Sequence, residues 1–301
     1  MRILNLGYSD TGGCGWRTQQ ALNGHNGITY DVAVGRQTWI RYPTTPQRWE
    51  DRHTLAELAD IHHARNTLKV LDGLPKRPTV IHYHGTQYRD NPHDANKAAA
   101  NYGAQTLVST VDLLEHAPHD AIWYGGPYNI PWLAKHRRHT PGPLRVGHAP
   151  TVRTSKGTDQ FLTSLATYQN NRGRGVDNHV RVILIERKPW LQALKIKGTC
   201  DVLFDQYTLG YGGNAVEAWA MGIPVISGAP QHILDRMLDM WGYLPFYPAT
   251  PDTITDAIDH MRDPDVRQEW AQRGLDHVQR YYTPEHARTL LTDVYAQTLS
   301  R

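Results

Sequence analysis

Two cysteines in 301 residues, Cys14 and Cys200, are too few for a disulfide framework and fit a reducing compartment. No apolar run approaches the length that spans a bilayer, and the first residues enter a strand directly. The chain has no internal repeat, no low-complexity tail and little excess of one charge: 32 Lys and Arg face 29 Asp and Glu, a net charge of +3. That mild basicity is far from a dedicated nucleic-acid binder. These absences lead us to expect a cytoplasmic protein with no transmembrane segment. What is present is length enough for two α/β domains of about 150 residues, each able to bury its own core. The 17 histidines and nine tryptophans are unusual, but composition assigns them no role.

The most informative stretch covers residues 201–228. Residues 202–204 form a short apolar run suited to a buried parallel strand. Gly210, Gly212 and Gly213 then permit close backbone approach and dihedrals that other residues resist. Asn214 is a candidate N-cap for a helix over 215–221, which Gly222 closes before Pro224 and a second strand. Glu217 is the only charge in that helix. Burying a lone carboxylate is costly unless it is partnered. Either the helix dipole or an internal partner holds Glu217, or it faces a cleft and accepts hydrogen bonds from a ligand's hydroxyl groups.

Residues 210–225, GYGGNAVEAWAMGIPV, resemble the nucleotide-sugar segment of GT-B glycosyltransferases. The group they match is the large retaining family that includes sucrose synthases and mannosyltransferases. In that family the glutamate matching Glu217 binds the ribose hydroxyls of the donor. A second glutamate usually lies eight residues earlier, where this chain has Leu209. Asp205 and Gln206 resemble a subgroup with Asp-Gln at the strand end before the glycine turn.

Other segments carry the resemblance in the family's order. Residues 2–6 read as the first parallel strand, followed by a glycine-rich turn over 7–17. Strand, turn and helix aim backbone N–H groups at an anion, although any tight strand-to-helix turn needs glycine. By resemblance, Gly12 and Gly13 approach the donor's phosphate and sugar. Residues 35–53 form a polar loop with Trp39, Tyr42 and Trp49, which are either platforms for an acceptor sugar or base, or ordinary packing.

Val80 and Ile81 begin a buried strand, His82 and His84 share one face of it, and Gly85 ends it where open α/β sheets bind ligands. His82-x-His84 is also the spacing of a two-ligand metal clip to which His62 and His63 could add. No carboxylate or cysteine motif completes that set. The family reading fits better: there the histidine matching His84 lies beside the donor sugar at the interdomain cleft. Arg89 either lines the same cleft or is a solvated charge.

Residues 106–114 resemble the last strand and helix start of the N-terminal domain, and 124–143 have the composition of a linker. The basic run 135–139 has the character of a solvated face. Residues 144–159 read as a strand, a loop and a helix beginning near Gly157. Lys156 stands at that turn, where charge-assisted bonds to phosphate are worth about 1.5–3 kcal/mol each. The resemblance makes Lys156 the family's diphosphate-binding lysine. The family's arginine, five residues before it, is Thr151 here, and Arg153 is the stand-in. A loop over 171–177 carries Arg172 and Arg174, a strand follows at 180–185, and helices are expected at 188–197, 231–240, 251–261, 264–281 and 284–299.

The resemblance implies an α/β protein of GT-B fold, two Rossmann-like domains facing a cleft. The expected division is 1–140 (acceptor side), 141–285 (nucleotide-sugar side) and 286–301, a terminal helix crossing back. It further implies a nucleotide-sugar-dependent hexosyl or pentosyl transferase, retaining by front-face displacement. His84, Arg153 and Lys156 would be catalytic, and Gly12, Gly13, Gly212, Gly213, Asn214 and Glu217 would bind the donor. A nucleoside-diphosphate sugar is the co-substrate, with no metal and no resident cofactor. The acceptor is left open among a glycan, a small molecule, a protein and modified DNA. Two rivals stand beside this reading. A sugar transferase acting on modified DNA bases is permitted by the basic run 135–139 and by Arg172 and Arg174. A catalytically silent sugar-nucleotide-binding protein is kept open by Leu209.

Overall fold

The computed structural model describes residues 1–36, 38–43, 47–171 and 180–301. The chain divides into two compact units, Met1–Tyr128 with Tyr281–Arg301, and Asn129–Arg280. The loop that carries Arg172 and Arg174 lies outside the described residues.

The first unit contains β1 (Arg2–Ser9), α1 (Cys14–Leu22), β2 (Thr29–Arg36), β3 (Gln47–Arg48), α2 (Arg52–Leu58), β4 (Ile61–Arg65), β5 (Thr79–Tyr83), α3 (Thr86–Asp90), α4 (Pro92–Tyr102), β6 (Gln105–Val108) and β7 (Ile122–Trp123). All pairings are parallel, in the order β3-β2-β1-β4-β5-β6-β7. The sheet therefore continues one strand beyond β6, where the sequence reading ended it. A 3-10 turn over Val111–Glu115 stands where a helix start was expected.

Alternation divides the apolar side chains of these strands between two faces. Ile3, Val32, Val80 and Leu107 pack with Ala21 and Leu22 of α1. Leu4, Leu6, Ala33 and Ile81 pack with Ala56 of α2 and Ala99 of α4. The last helix, α12 (Pro284–Ser300), adds Leu291, Val294 and Tyr295 to the first of these cores. Thr283 caps it by accepting from the His286 amide at 3.1 Å.

The second unit contains α5 (Ile130–Ala134), β8 (Leu144–His148), α6 (Thr158–Asn171), β9 (Val180–Leu184), α7 (Trp190–Lys197), β10 (Val202–Phe204), α8 (Gly213–Ala220), β11 (Val225–Ser227), α9 (Gln231–Trp241), β12 (Tyr247–Pro248), α10 (Ile254–His260) and α11 (Pro264–Tyr281). Its strands are again all parallel, ordered β12-β11-β10-β8-β9. Val146, Val202, Phe204 and Ile226 meet Phe161 and Leu165 of α6 and Ile254 and Ile258 of α10 on one face. Elsewhere in this unit Trp219 of α8 is fully buried against Gly274 of α11, where an added Cβ would lie 2.0 Å from the ring.

The basic run 135–139 is more structural than a solvated face. Arg137 donates to the carbonyls of Gly198 at 3.1 Å and Cys200 at 2.7 Å, and the Arg138 amide donates to Gly198 at 2.8 Å. These bonds satisfy carbonyls that the end of α7 would otherwise leave open. No described helix is long and apolar enough to cross a membrane.

Several imidazoles are held neutral by the cores around them. Burial pushes His82 and His277 down to about 3, and His62 and His148 down to about 4. Unfolded histidine titrates near 6.5, so below that pH the unfolded chain binds more protons than the folded one. This contribution to stability is complete above pH 6.5 and is lost as pH falls toward the folded values. We expect the unfolding free energy from urea titrations to fall throughout from pH 7 to 4.5, by up to about 1.4 kcal/mol per pH unit for each such histidine, and the midpoint to fall with it. His277→Phe should flatten the profile. An unchanged midpoint between pH 7 and 5 would refute the account.

Candidate active site

In each sheet the chain order reverses at one place. β2 lies on one side of β1 and β4 on the other; β9 lies on one side of β8 and β10 on the other. Crevices at the carboxyl ends of strands at such switch points are where open α/β sheets hold ligands. Lys156, Asp205 and the Gly210–Gly213 turn cluster beside the switch point of the second unit. The Gly12–Gly13 turn, Arg65, His82 and His84 follow or end strands at or beside that of the first.

In the second unit the Lys156 ammonium donates to Asp205 Oδ1 at 2.9 Å, and the Gly212 amide donates to Asp205 Oδ2 at 2.7 Å. The carboxylate is thus the shared anchor of the cation after β8 and of the glycine turn after β10. The Lys156 side chain is 13% exposed and carries three N–H donors, of which this bond uses one. Lys156 is followed by Gly157, whose φ of +63° suits the left-handed turn into α6. Arg153 is more exposed. Its guanidinium takes both oxygens of Glu186, at 2.7 and 2.9 Å, and Asp159 at 2.9 Å. The Glu186 bond raises the Arg153 pKa and holds that of Glu186 below its ordinary value.

Glu217 is buried, and its oxygens accept from Trp190 Nε1 at 2.7 Å and from the Lys197 ammonium. Lys197 also donates to Asn214 Oδ1 at 2.9 Å, and Asn214 Nδ2 donates to the Ala149 carbonyl at 2.7 Å. Asn214 is therefore not the N-cap: Gly212 occupies that position, and α8 begins at Gly213. The asparagine amide is spent tying α8 to α7 and to the chain after β8, so it cannot turn back onto its own helix. The two oxygens of Glu217 offer about four acceptor sites, and these two bonds use half of them.

In the first unit both Gly12 and Gly13 are left-handed, with φ of +62° and +67°. A Cβ on Gly13 would meet the Tyr42 ring at 2.7 Å, so Tyr42 packs on the turn, whereas Trp39 is exposed. The first-turn amides of α1 are occupied from within: Gly15 and Trp16 donate to Asp10 at 2.8 and 3.0 Å, and Arg65 pairs with the same carboxylate. His84 is held by its amide, which donates to Asn66 Oδ1 at 2.7 Å, and its ring lies 3.9 Å from that of His82. Burial and the neighbouring His82 keep His84 well below the usual imidazole pKa. Arg89 is not a free charge; it donates to Asp112 at 2.5 Å and to Thr110 at 3.3 Å.

Lys156 and Gly212 thus share one carboxylate, Asn214 and Glu217 share Lys197, and Arg153 turns to a separate acidic pair. Sequence reasoning missed Asp10, Arg65, Asn66, Trp190 and Lys197. Lys197 had a signal: Trp190, Leu194 and Lys197 fall at i, i+4 and i+7, and all three are buried in α7. A lone lysine on such a face needs a buried anion, and Glu217 is one.

Lys197→Met should leave the buried Glu217 charge uncompensated and cost about 3–5 kcal/mol in urea unfolding. Adding Glu217→Gln should restore part of that loss, since the charge and its missing partner disappear together. Losses that simply add would show the pair to be uncoupled.

No protein-family model matches the chain, and no curated protein matches it either. Solved structures do. Anabaena HepE in complex with UDP-glucose superposes with a TM-score of 0.67 at 13% identity, covering 99% of this chain and 100% of that one. Sucrose-phosphate synthase from Thermosynechococcus elongatus gives 0.66 at 12%, covering 100% and 99%. An alpha-glucosyltransferase in complex with UDP and a 13-mer DNA containing an HMU base gives 0.66 at 10%, covering 100% of both chains. With two all-parallel sheets, each flanked by helices, matched from end to end in these structures, the chain has the fold of the GT-B glycosyltransferases.

Proposed function

We propose that the chain is a glycosyltransferase that moves a sugar from a nucleoside diphosphate to an acceptor hydroxyl. The observation that carries this reading is Lys156, an ammonium fixed by Asp205 at the switch point of the second unit, beside the Gly212 amide. A cation is the kind of donor that holds a diphosphate, and Lys156 keeps two N–H donors for one, whereas the single N–H of Gly212 is spent on Asp205. A nucleoside diphosphate leaves only when its developing charge is neutralised, which gives Lys156 its catalytic role. Arg153 would join it by exchanging the Glu186 and Asp159 carboxylates for phosphate oxygens. Glu217, oriented by Lys197 and Trp190, would accept from the ribose hydroxyls with its remaining acceptor sites. Gly12, Gly13, Gly213 and Asn214 complete the proposed donor site, and His84 would contact the transferred sugar.

UDP-glucose is the first donor to test, because two of the structural neighbours named above, HepE and the alpha-glucosyltransferase, hold UDP-glucose and UDP. In the mechanism we favour, transfer retains the anomeric configuration. The leaving phosphate oxygen assists deprotonation of the acceptor on the same face, and no side chain forms a covalent intermediate. Neither a metal nor a resident cofactor is needed, since side-chain cations meet the diphosphate.

Thermal unfolding with UDP, UDP-glucose and other nucleoside diphosphates and their sugars should show a raised Tm for at least one of them. No shift with any would sink the reading. Binding with neither transfer nor hydrolysis would favour a silent sugar-nucleotide-binding protein, which the absence of a glutamate at Leu209 keeps in view.

Lys156→Ala should lower kcat/KM by about 10–100-fold, the worth of one charge-assisted bond in the transition state. Arg153→Ala should lower it less, and the double variant should lose less than the sum if both cations act on one diphosphate. His84→Ala should lower kcat while the calorimetric affinity for UDP stays nearly unchanged, because a group on the transferred sugar acts mainly in the transition state. Full activity in His84→Ala would remove it from the site.

A further inference from the structure

The first unit brings together three donor atoms that sequence spacing keeps apart. Cys14 opens α1, His82 lies on β5 and His84 follows it; one donor atom from each lies within 4.8 Å of the other two. The sequence offered His62 and His63 to the His-x-His pair; the fold brings Cys14 to it instead. His82 Nε2 lies 3.1 Å from the Tyr124 carbonyl, so this nitrogen carries the proton and donates, leaving Nδ1 with its lone pair. A backbone carbonyl that fixes the tautomer in this way is the usual outer-shell partner of a metal-bound histidine. His84 Nε2 is buried with no hydrogen-bond partner.

Two neutral imidazoles and a thiolate form a nitrogen–sulfur set that suits Zn2+ and its neighbours rather than oxygen-seeking Mg2+ or Ca2+. Donor atoms of a tetrahedral site stand about 3.3–3.6 Å apart, so closing this one requires side-chain shifts of about 1 Å. The cations facing the cluster are Arg65, which Asp10 neutralises, and Arg17, which donates to the Gly12 carbonyl and lies 3.9 Å over the Tyr128 ring. Binding displaces the thiol proton of Cys14, and the resulting thiolate offsets one of the two charges of the ion.

We propose that Cys14, His82 and His84 bind a divalent ion of the Zn2+ class, and that the ion inhibits transfer by taking the His84 nitrogen. The inhibition rests on the glycosyltransferase reading; the binding does not.

The test is a Co2+ titration of the metal-free full-length protein, followed by the thiolate-to-Co2+ charge-transfer absorption. The band is diagnostic because the chain has two cysteines, and Cys200→Ser is the control. We expect the band to saturate at one equivalent and to be bleached by one equivalent of Zn2+. It should persist in Cys200→Ser and be absent in Cys14→Ser and Cys14→Ala. The affinity should fall at least about 10-fold in His82→Gln, which keeps both thiols and so tests the site should the Cys14 variants not fold. A wild-type protein without the band, a band lost with Cys200 instead of Cys14, or one indifferent to His82→Gln overturns the site. Zn2+ should then lower the transfer rate, with recovery on adding a chelator. An active transferase unaffected by saturating Zn2+ overturns the inhibition alone. Metal binding in a chain that transfers no sugar would instead overturn the proposed function and leave the metal site standing.

Discussion

In both units a buried carboxylate just beyond a central strand serves as the anion for its own glycine turn. Asp10 follows β1 and gathers the Gly15 and Trp16 amides and the Arg65 guanidinium. Asp205 follows β10 and gathers the Gly212 amide and the Lys156 ammonium. Without these carboxylates, buried cations and amides would face one another unpaired, which a low-dielectric interior does not tolerate. The shape of each turn is therefore set by the protein itself. Both turns keep donor capacity: Arg65 Nε and Nη2 are buried without a hydrogen-bond partner, and the Lys156 ammonium uses one of its three N–H donors on Asp205.

The same economy of internal pairing accounts for much of the histidine content. His148 donates to the Phe204 carbonyl at 3.0 Å and accepts from Thr158 at 2.8 Å, tying β8 to β10 and to α6. His277 sits between the hydroxyls of Tyr211 at 2.8 Å and Tyr243 at 3.2 Å. His63 meets Tyr295 at 2.7 Å and so fastens α12 to β4. An uncharged imidazole supplies a donor and an acceptor on a flat body that packs like an aromatic ring, and burial keeps it uncharged. His84 Nε2, like His63 Nε2 and both ring nitrogens of His62, is buried without a hydrogen-bond partner; the Cys14, His82 and His84 cluster differs in bringing such a nitrogen beside a thiol.

Glu217 shows how a structural and a functional account of one residue can both hold. Its partners Lys197 and Trp190 make burial of the carboxylate tolerable, and the same bonds fix where its remaining lone pairs point. A group oriented in advance by its neighbours loses little entropy when it meets a ligand.

The sequence by itself determined the fold class and the succession of many of the elements, while α3, α4 and α5 were not read from it. Parallel strands buried on both faces are continuous apolar runs, and glycine and proline mark where they stop, so residues 2–6, 79–83, 202–204 and 225–227 declare themselves locally. It also determined where to look, because ligands of open α/β sheets sit at strand ends and Lys156, Glu217 and His84 follow such ends. Only the tertiary structure decided who partners whom. Lys156 with Asp205, Glu217 with Lys197, Asp10 with Arg65 and Cys14 with His82 and His84 lie between 20 and 70 residues apart along the chain. The short strands β3 and β7 and the capping role of Gly212 were decided there too. Local propensity is a property of neighbouring residues. A buried charge or imidazole is satisfied by whatever the crossovers of the sheet bring beside it, and no local pattern records that.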